Sequence, residues 1–532
     1  MSAAWLSRVD ERPAVRSVSY PLLLISLPNG ALAVAGFAPF YLWPLPILSL
    51  AVLFGLLART RSVRAGFLIG LAWGLGFFLT GVSWVYVSLS VYGGMPMALA
   101  ALATFLFCAL LALFPALVGA LQAGWRVSPG LRLLVLIPLG WGMAEWVRGW
   151  LFTGFPWLAI GYSQVPASPL AGYAPLVGVY GVSFLLALTA ALLAWGVTLR
   201  GPLARRVWAG VAVLALGIGG QALRSIDWTT PDGAPTSVAL LQGNIPQDMK
   251  WQPGKVQATL ESYARMAAAS PAQLIVLPET ALPLFESDLP DFYRDGLIAL
   301  GRKNGGDILA GLPTGSLDGA YYNSVISLGN APSQRYHKTH LVPFGEYIPL
   351  KAVWGWVVQV LHIPLSDFAR GDPGQTPLAI GGQRVAANIC YEDVFGEEII
   401  RQLPAASVLV NVSNLAWFGD SFAPWQHAQM SQMRARESGR MMLRATNTGL
   451  TAIIDEKGQV LASLPPFTSG SLTGTIQGYA GSTPYVRWGN APVLALWGML
   501  GAGLLLTGFH PQGVGRGCKA DKSATATLRR RP

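Results

Sequence analysis

The sequence predicts a polytopic α-helical membrane protein of about eight transmembrane helices with a layered α/β domain outside the membrane. Of its 532 residues, 52% are hydrophobic and only 12% are charged, whereas soluble domains carry about 25% charged residues. Apolar segments fill most of the first part of the chain and return near its end. Between them lies one long polar stretch in which short β-rich runs alternate with helical runs, which is the pattern of an α/β domain.

Eight segments are apolar over about the 20 residues that a helix needs to cross a bilayer. They lie near residues 20–38, 42–58, 66–90, 95–120, 131–150, 174–198, 206–223 and 489–508. The first runs too directly into further spans to be a cleaved signal peptide. These segments divide the chain into a membrane domain at 1–224 with about seven spans, a polar domain at 225–487, a last span at 488–510 and a basic tail at 511–532.

Basic residues cluster at every second connection between the predicted spans. The clusters are Arg8, Arg12 and Arg16, then Arg59, Arg61 and Arg64, then Arg126 and Arg132, then Arg200, Arg205 and Arg206, and finally Arg516, Lys519, Lys522 and Arg529 in the tail. By the positive-inside rule, both termini are cytoplasmic and the 225–487 domain lies on the other side. Because the net charge of +11 comes from these clusters, it does not indicate nucleic-acid binding.

The polar domain contains seven runs that are predicted to be strands and two that are predicted to be helices. The strand-like runs are "SVALLQGN", "QLIVLPE", "GDILAGLP", "SVISLGN", "RVAANICYE", "ASVLVNVSN" and "LTAIID". The helix-like runs are "KVQATLESYARMAAA" and "APWQHAQMSQMRARESGRMMLRA".

The three cysteines fall in three different places. Cys108 lies inside the fourth predicted span, Cys518 lies in the tail, and Cys390 lies in the polar domain, where it has no partner for an intramolecular disulfide. That compartment favours disulfides, so a free thiol there is either a buried core cysteine or a nucleophile.

A nucleophilic thiol needs a base and a donor that stabilises the oxyanion. Glu279 ends the strand-like run "LIVLPET", and Lys338 directly follows another strand-like run. Each alone is explained as a capping glutamate or a solvated lysine. Because both follow strand-like runs, as Cys390 does, the more specific hypothesis is that Glu279, Lys338 and Cys390 belong to one site.

Several motifs carry a resemblance to known families. "LPET", "HKTHLVPFGEYIP" and "NICYEDVF", in this order, resemble the nitrilase or carbon–nitrogen hydrolase superfamily. The whole chain is similar to the apolipoprotein N-acyltransferase family of bacterial inner membranes, on "GFPWLAIGYSQ", "LQGNIPQDMKW", "NVSNLAWFGDS" and "RATNTGLTAIID". One departure is Leu415, at a position where that family commonly has Asp.

The resemblance implies a nitrilase-like αββα sandwich and a Glu279–Lys338–Cys390 triad. Glu279 would be the base, Lys338 with the Tyr391 N–H would stabilise the oxyanion, and Cys390 would form a thioester. Supporting roles fall on Trp251, Glu346, Tyr391 and Glu392, with Glu346 and Glu392 expected to hold the lysine. The implied reaction is ping-pong acyl transfer from a phospholipid to the N-terminal cysteine of a diacylglyceryl apolipoprotein, by a monomer without cofactor, with its catalytic domain in the periplasm.

The apolar run "KAVWGWVVQVLHIPLSDF" at 351–368 follows the lysine motif inside the polar domain. It is either core or, as we prefer, an arm that places Trp354 and Trp356 in the outer leaflet.

Two other functions are compatible with parts of the sequence. A membrane-tethered amidase acting on a small soluble substrate would use the same triad but leaves the many spans without a purpose. A transporter or receptor would need ionisable residues inside its spans, and few are present. The five histidines lack zinc-ligand spacing, and no nucleotide-binding glycine loop occurs.

Overall fold

Apolar helices form the membrane domain. The computed structural model describes residues 20–198, 202–247, 253–349 and 367–508. Its first nine helices are α1 (Tyr20–Ala33), α2 (Pro44–Ala58), α3 (Val63–Gly81), α4 (Val85–Val87), α5 (Met97–Gly124), α6 (Pro129–Leu131), α7 (Ile137–Arg148), α8 (Ala174–Thr198) and α9 (Leu203–Arg224). A π-helical turn, Arg132–Leu136, joins α6 and α7 into one rod.

Every predicted span falls on an apolar helix, but the helices differ in length. Five are long and apolar enough to cross a membrane: Val63–Gly81, Met97–Gly124, Pro129–Arg148, Pro169–Val197 and Leu203–Arg224. The helices at the first, second and eighth predicted spans are shorter. A helix such as α1, with 14 residues, is about 21 Å long, which is less than the roughly 30 Å hydrocarbon core. Hydropathy measures apolar content and does not reveal where a helix ends.

Small residues let two of the long helices approach each other closely. A Cβ atom on Gly66 of α3 would lie 2.1 Å from the carbonyl oxygen of Gly119 in α5. Only glycine fits at such a crossing, as in many membrane helix pairs.

In the described part of the polar domain, twelve strands form two six-stranded sheets. They are β1 (Thr229–Gln242), β2 (Leu274–Val276), β3 (Asp307–Gly315), β4 (Tyr321–Gly329), β5 (Arg335–His337), β6 (Leu378–Ile380), β7 (Gln383–Ile389), β8 (Val408–Ser413), β9 (Met442–Thr446), β10 (Thr451–Ile454), β11 (Val460–Leu464) and β12 (Gly470–Gly481). The strand orders are β12-β1-β2-β3-β4-β5 and β11-β10-β9-β8-β7-β6. Strands β1-β2-β3 and β7-β8-β9 pair in parallel, and all seven predicted strand-like runs lie on strands.

The two sheets pack face to face between helices, so the domain is an αββα sandwich. Buried side chains of both sheets, among them Leu240, Val276, Ile389 and Val410, share one core. Helices α10 (Pro253–Ala268) and α11 (Asp291–Lys303) cover the outer face of the first sheet. The outer face of the second sheet is covered by α12 (Gly396–Ile399) and α13 (Ala423–Ser438). The chain then continues through α14 (Pro484–Trp488) and the apolar α15 (Ala491–Gly508).

The helix predicted over 423–445 is shorter than expected. It ends at Ser438 because Gly439 adopts the left-handed conformation that terminates helices, with φ +63°. The remaining "MMLRA" residues start strand β9. Nearly every residue of α13 is buried, since the helix lies between the second sheet and the membrane domain.

Candidate active site

Glu279, Lys338 and Cys390 are brought together by the ends of three strands. Cys390 follows β7 directly, Lys338 follows β5 directly, and Glu279 comes three residues after β2. Strands β2 and β5 belong to one sheet and β7 to the other. The site therefore lies at one end of the sandwich, between the two sheets.

The three side chains form one connected, largely buried group. The Lys338 ammonium lies 3.5 Å from Glu279 Oε1 and 2.8 Å from Glu346 Oε1. The Glu279 carboxylate is also close enough to the Cys390 thiol to raise its pKa. Lys338 is 1% exposed and Glu279 7%, while Cys390 is partly exposed. Cys390 is thus the least buried residue of the three.

Burial and neighbouring charges set the protonation of this group. Burial raises the pKa of the Cys390 thiol and Glu279 raises it further, whereas Lys338 acts in the opposite direction. Burial disfavours the charge on Lys338, but Glu346 and Glu279 outweigh that effect and hold the pKa of its ammonium above its usual value. At neutral pH the site therefore contains a neutral thiol beside a charged lysine.

The backbone at Cys390 is held in an uncommon conformation. Its φ is +55°, in the left-handed region that residues other than glycine rarely occupy. Such strain persists only where the surrounding structure fixes it, and it is concentrated at functional sites. The next residues form a 3₁₀ helix, Cys390–Val394, whose first N–H groups, including that of Tyr391, have no acceptor within the helix.

Two asparagines that the sequence analysis did not single out position the carboxylates. The Asn323 amide donates to Glu279 Oε1 at 2.8 Å and to Glu346 Oε1 at 2.9 Å. The Asn414 N–H donates to Glu279 Oε2 at 2.7 Å, and the Asn414 side chain donates to Gln247 at 2.7 Å. The signal for Asn414 was its place in the "NVSN" motif, whereas Asn323 lies in an otherwise ordinary strand.

Glu346 and Glu392 occupy different positions relative to the lysine. Glu346 contacts Lys338 directly, as expected. The expectation that Glu392 also holds the ammonium is wrong. Its carboxylate instead accepts hydrogen bonds from the backbone N–H groups of Ile389, at 2.7 Å, and Thr339, at 2.5 Å. Because a carboxylate satisfies several N–H donors at once, Glu392 fastens the cysteine loop to the lysine loop.

The membrane domain contacts the loop that carries the cysteine. The Tyr391 hydroxyl donates to the carbonyl of Gly154 at 3.0 Å, in the "GFPW" segment after α7. The Tyr391 ring packs edge-on against Phe395 and His340. Tyr391 thus connects the thiol loop to the membrane helices.

Trp251, Trp354 and Trp356 lie outside the described residues, as do Cys518 and nearly all of the 351–368 run. Within residues 20–198, 202–247, 253–349 and 367–508, no group of His, Cys, Asp and Glu has an arrangement that would hold a metal ion.

Leu415 is buried, at the position where the sequence comparison expects Asp. Its side chain lies directly over Gly449, where an added Cβ would be 2.5 Å from Leu415 Cδ1. The leucine therefore fills a pocket that the glycine leaves open.

Two family models match the chain. The apolipoprotein N-acyltransferase N-terminal domain matches residues 29–192, and the carbon-nitrogen hydrolase domain matches residues 237–485. Among solved structures, an amidase from Nesterenkonia sp. is 19% identical with a TM-score of 0.37, covering 50% of this chain and 97% of its own.

Curated relatives match over almost the whole length. An apolipoprotein N-acyltransferase of Nitrosomonas europaea is 54% identical, covering 90% of this chain and 96% of its own. The apolipoprotein N-acyltransferase of Chromobacterium violaceum is 46% identical, covering 92% of this chain and 95% of its own. Since this similarity spans both the membrane helices and the nitrilase-like sandwich, the chain belongs to the apolipoprotein N-acyltransferase family.

Proposed function

We propose that this membrane protein transfers a fatty acyl chain from a phospholipid to the α-amine of the N-terminal cysteine of diacylglyceryl apolipoproteins. The observation that carries the proposal is the connected group of Glu279, Lys338 and Cys390 at the end of the sandwich that meets the membrane domain. The curated relatives named apolipoprotein N-acyltransferase support the choice of acceptor.

In the first half-reaction, Cys390 attacks the ester carbonyl of the phospholipid. Because the thiol is neutral at rest, Glu279 takes its proton as the bond forms, which is general-base activation of a nucleophile. The charged Lys338 and the Tyr391 N–H stabilise the oxyanion. Collapse breaks the ester bond, Glu279 returns the proton to the departing lysophospholipid oxygen, and a thioester remains on Cys390.

In the second half-reaction, the acceptor amine attacks the thioester. Glu279 accepts the proton of the amine and returns it to the Cys390 sulfur as the thioester breaks, leaving an amide. The two halves share one acyl-enzyme, so the kinetics are ping-pong. The contact between Tyr391 and Gly154 places the sulfur beside the membrane domain, which favours lipid over water as the neighbour of the thioester.

The wider arrangement belongs to the same proposal. We assign the enzyme to the bacterial inner membrane, as a monomer with both termini cytoplasmic and the 225–487 domain periplasmic. The division into 1–224, 225–487, 488–510 and 511–532 follows from this orientation. Trp251 would support substrate binding, and Trp354 and Trp356 would form a lipid-facing arm in the outer leaflet.

The intact mass of the purified protein tests the first half-reaction. After incubation with a defined phospholipid, we expect a mass increase of one acyl chain, removable by hydroxylamine, in the native protein and in Cys108→Ala but not in Cys390→Ala. Transfer of that chain to a lipopeptide with a free α-amine, and not to its N-acetylated form, tests the second. Release of ammonia from a short amide without any acyl adduct would instead favour a membrane-tethered amidase and contradict the proposal.

A further inference from the structure

A cavity of about 330 Å³ lies where the membrane domain joins the sandwich. It is lined by residues 226–231 just after α9, by the turn between β10 and β11, by the end of α13, and by Pro175 of α8 and Tyr479 of β12. Its polar side chains include Asp227, Trp228, Arg436, Glu456 and Lys457. None of them takes part in the candidate active site.

Among the described residues, Arg436 in this cavity has no ion-pair partner and Trp228 has no hydrogen-bond acceptor. Arg436 is 5% exposed, and its guanidinium donates only to the carbonyls of Ala171, at 3.1 Å, and Lys457, at 3.4 Å. No carboxylate in the described part of the chain forms an ion pair with it, although Asp455 and Glu456 favour its charge from a longer distance. The Trp228 Nε1 atom is buried and has no hydrogen-bond partner among the described residues.

The carboxylates around the cavity are already engaged elsewhere. Asp227 pairs with Lys457 at 2.8 Å. Asp455 accepts the backbone N–H groups of its own turn, including that of Lys457 at 3.0 Å, and Glu456 lies close enough to Tyr479 to raise the pKa of its hydroxyl. A buried guanidinium without a counter-ion is costly, and a bound anion would remove that cost.

A second arginine adds to the positive charge. Arg224, at the end of α9, donates to the carbonyls of Ala167 and Ser168, at 2.8 and 2.9 Å. Burial lowers the pKa of Arg436 to about 10, with a further contribution from Arg224. The Arg436 guanidinium is therefore charged at neutral pH.

The cavity lies beside the end of a helix that exposes apolar side chains. Helix α9 exposes large apolar side chains along its length, among them Trp208, Leu214 and Ile218, and it ends at Arg224, two residues before the cavity wall starts at Ile226. Guanidinium groups bind phosphate oxygens through strong, charge-assisted hydrogen bonds.

We propose that this cavity binds the phosphate of a membrane phospholipid, through Arg436, the indole N–H of Trp228 and the ammonium of Lys457. The site is separate from Cys390 and does not depend on the proposed acyl transfer, since it requires only that α9 faces lipid. The occupant is a headgroup phosphate because the donors lie at the end of a lipid-facing helix.

Native mass spectrometry of the full-length protein tests this site. The delipidated protein, with Cys390→Ala to prevent turnover, is titrated with phosphatidylglycerol and separately with diacylglycerol, which lacks the phosphate. The double variant Trp228→Phe/Lys457→Ala keeps the ring and removes two donors. We expect it to hold one phospholipid at least tenfold more weakly than the parent, with diacylglycerol binding unchanged.

The matched control is Trp208→Phe/Lys303→Ala, which makes the same changes on α9 and at the end of α11, away from the cavity. Equal phospholipid affinity of parent and double variant would overturn the proposal, and so would an equal loss in the control. A parallel titration with inorganic phosphate distinguishes the source of the anion. If the double variant weakens only inorganic phosphate, the site binds a free anion and the lipid assignment is wrong.

Discussion

The Lys338 ammonium lies 2.8 Å from one carboxylate oxygen of Glu346, and both side chains are largely buried. The contact to Glu279, at 3.5 Å, is longer. Glu346 is therefore the main counter-ion of the lysine, which leaves Glu279 available to the thiol. In both Glu279 and Glu346, the carboxylate oxygen that faces the lysine also accepts a hydrogen bond from the Asn323 amide. This one amide therefore sets the distance between the two carboxylates.

Replacing Asn323 with alanine should slow acylation without weakening substrate binding. Each carboxylate would lose one hydrogen bond, and hydrogen bonds to charged groups contribute about 1.5–3 kcal/mol. Since about 1.4 kcal/mol corresponds to a factor of ten in rate, we expect kcat for acyl-enzyme formation to fall at least about tenfold, with KM little changed. Stopped-time intact-mass measurements of the thioester give both constants.

Asn330→Ala is the matched control for this variant. Asn330 is exposed and directly follows the same strand, β4, so its loss should leave the rate unchanged. An Asn323→Ala enzyme with the native rate would mean that the two carboxylates keep their places without the bridging amide.

The protonation of Cys390 leads to a prediction in which two substitutions act in opposite directions. Burial and Glu279 raise the pKa of the thiol, and Lys338 opposes them. Removing the negative charge in Glu279→Gln should lower that pKa and increase the thiolate fraction at pH 8. Removing the positive charge in Lys338→Met should raise it further. The rate of Cys390 alkylation by iodoacetamide, followed on the peptide that contains it, should therefore increase in the first variant and decrease in the second.

The native thiol should also react slowly at pH 8 compared with a free peptide thiol of pKa about 8.5. Each unit by which its pKa is raised lowers the thiolate fraction about tenfold. If alkylation of the native protein is rapid and levels off below pH 8, then Cys390 is a preformed thiolate and Glu279 is not needed to activate it.

Glu279 and Cys390 could be predicted from sequence because each follows an apolar β-run that periodicity identifies. Lys338 follows β5, which is not among the seven predicted runs, so its motif was the stronger signal. Asn323 could not be found in this way. It lies inside β4, and its role depends on which strand ends its side chain faces. That depends on how distant strands are aligned in the sheet, which the sequence does not show.

The fold, like the site, could be predicted from the sequence only in part. Apolar length located all of the membrane helices, yet it did not show that α1, α2 and α15 are short, since helix ends depend on local turns. The spacing of α13 indicated a helix, but not that polar side chains would be buried on its membrane-facing side. The sequence does not indicate which buried glutamine will form hydrogen bonds with groups of another domain.

Gln426, in α13, provides such a partner and should contribute to stability. Its Oε1 accepts the indole N–H groups of Trp157, at 2.7 Å, and Trp84, at 3.3 Å, and its amide donates to the carbonyl of Gly81. Gln426→Leu would leave the buried Trp157 N–H without its acceptor, at a cost of about 1–3 kcal/mol, whereas the Trp84 N–H keeps its hydrogen bond to the Gly81 carbonyl at 3.1 Å. We expect a clearly lower unfolding temperature in detergent, measured by intrinsic tryptophan fluorescence.

Gln257→Leu makes the same substitution on the exposed face of α10, where the side chain bonds only to Glu261, and it should leave the unfolding temperature nearly unchanged. Equal effects of the two substitutions would mean that the contacts between α13 and the membrane helices are not important for stability.

Glu392→Gln should disturb the site although it keeps the shape of the side chain. One oxygen of Glu392 accepts the N–H groups of Thr339 and His340, and the other accepts that of Ile389. A glutamine amide must turn its own N–H donors toward one of these groups, because only one end of it accepts. At least one hydrogen bond to a charged acceptor is lost, worth about 1.5–3 kcal/mol.

The two loops that carry Lys338 and Cys390 would then separate, so both the unfolding temperature and the rate of thioester formation should fall together in Glu392→Gln. The comparison is Glu286→Gln, at a partly exposed carboxylate that pairs with Arg335 at 3.3 Å. Such surface pairs contribute about 0–1 kcal/mol, so this variant should keep both properties. If Glu392→Gln loses activity at an unchanged unfolding temperature, Glu392 acts on the substrate and does not merely hold the loops. If it keeps both, the fastening of the loops depends on other contacts.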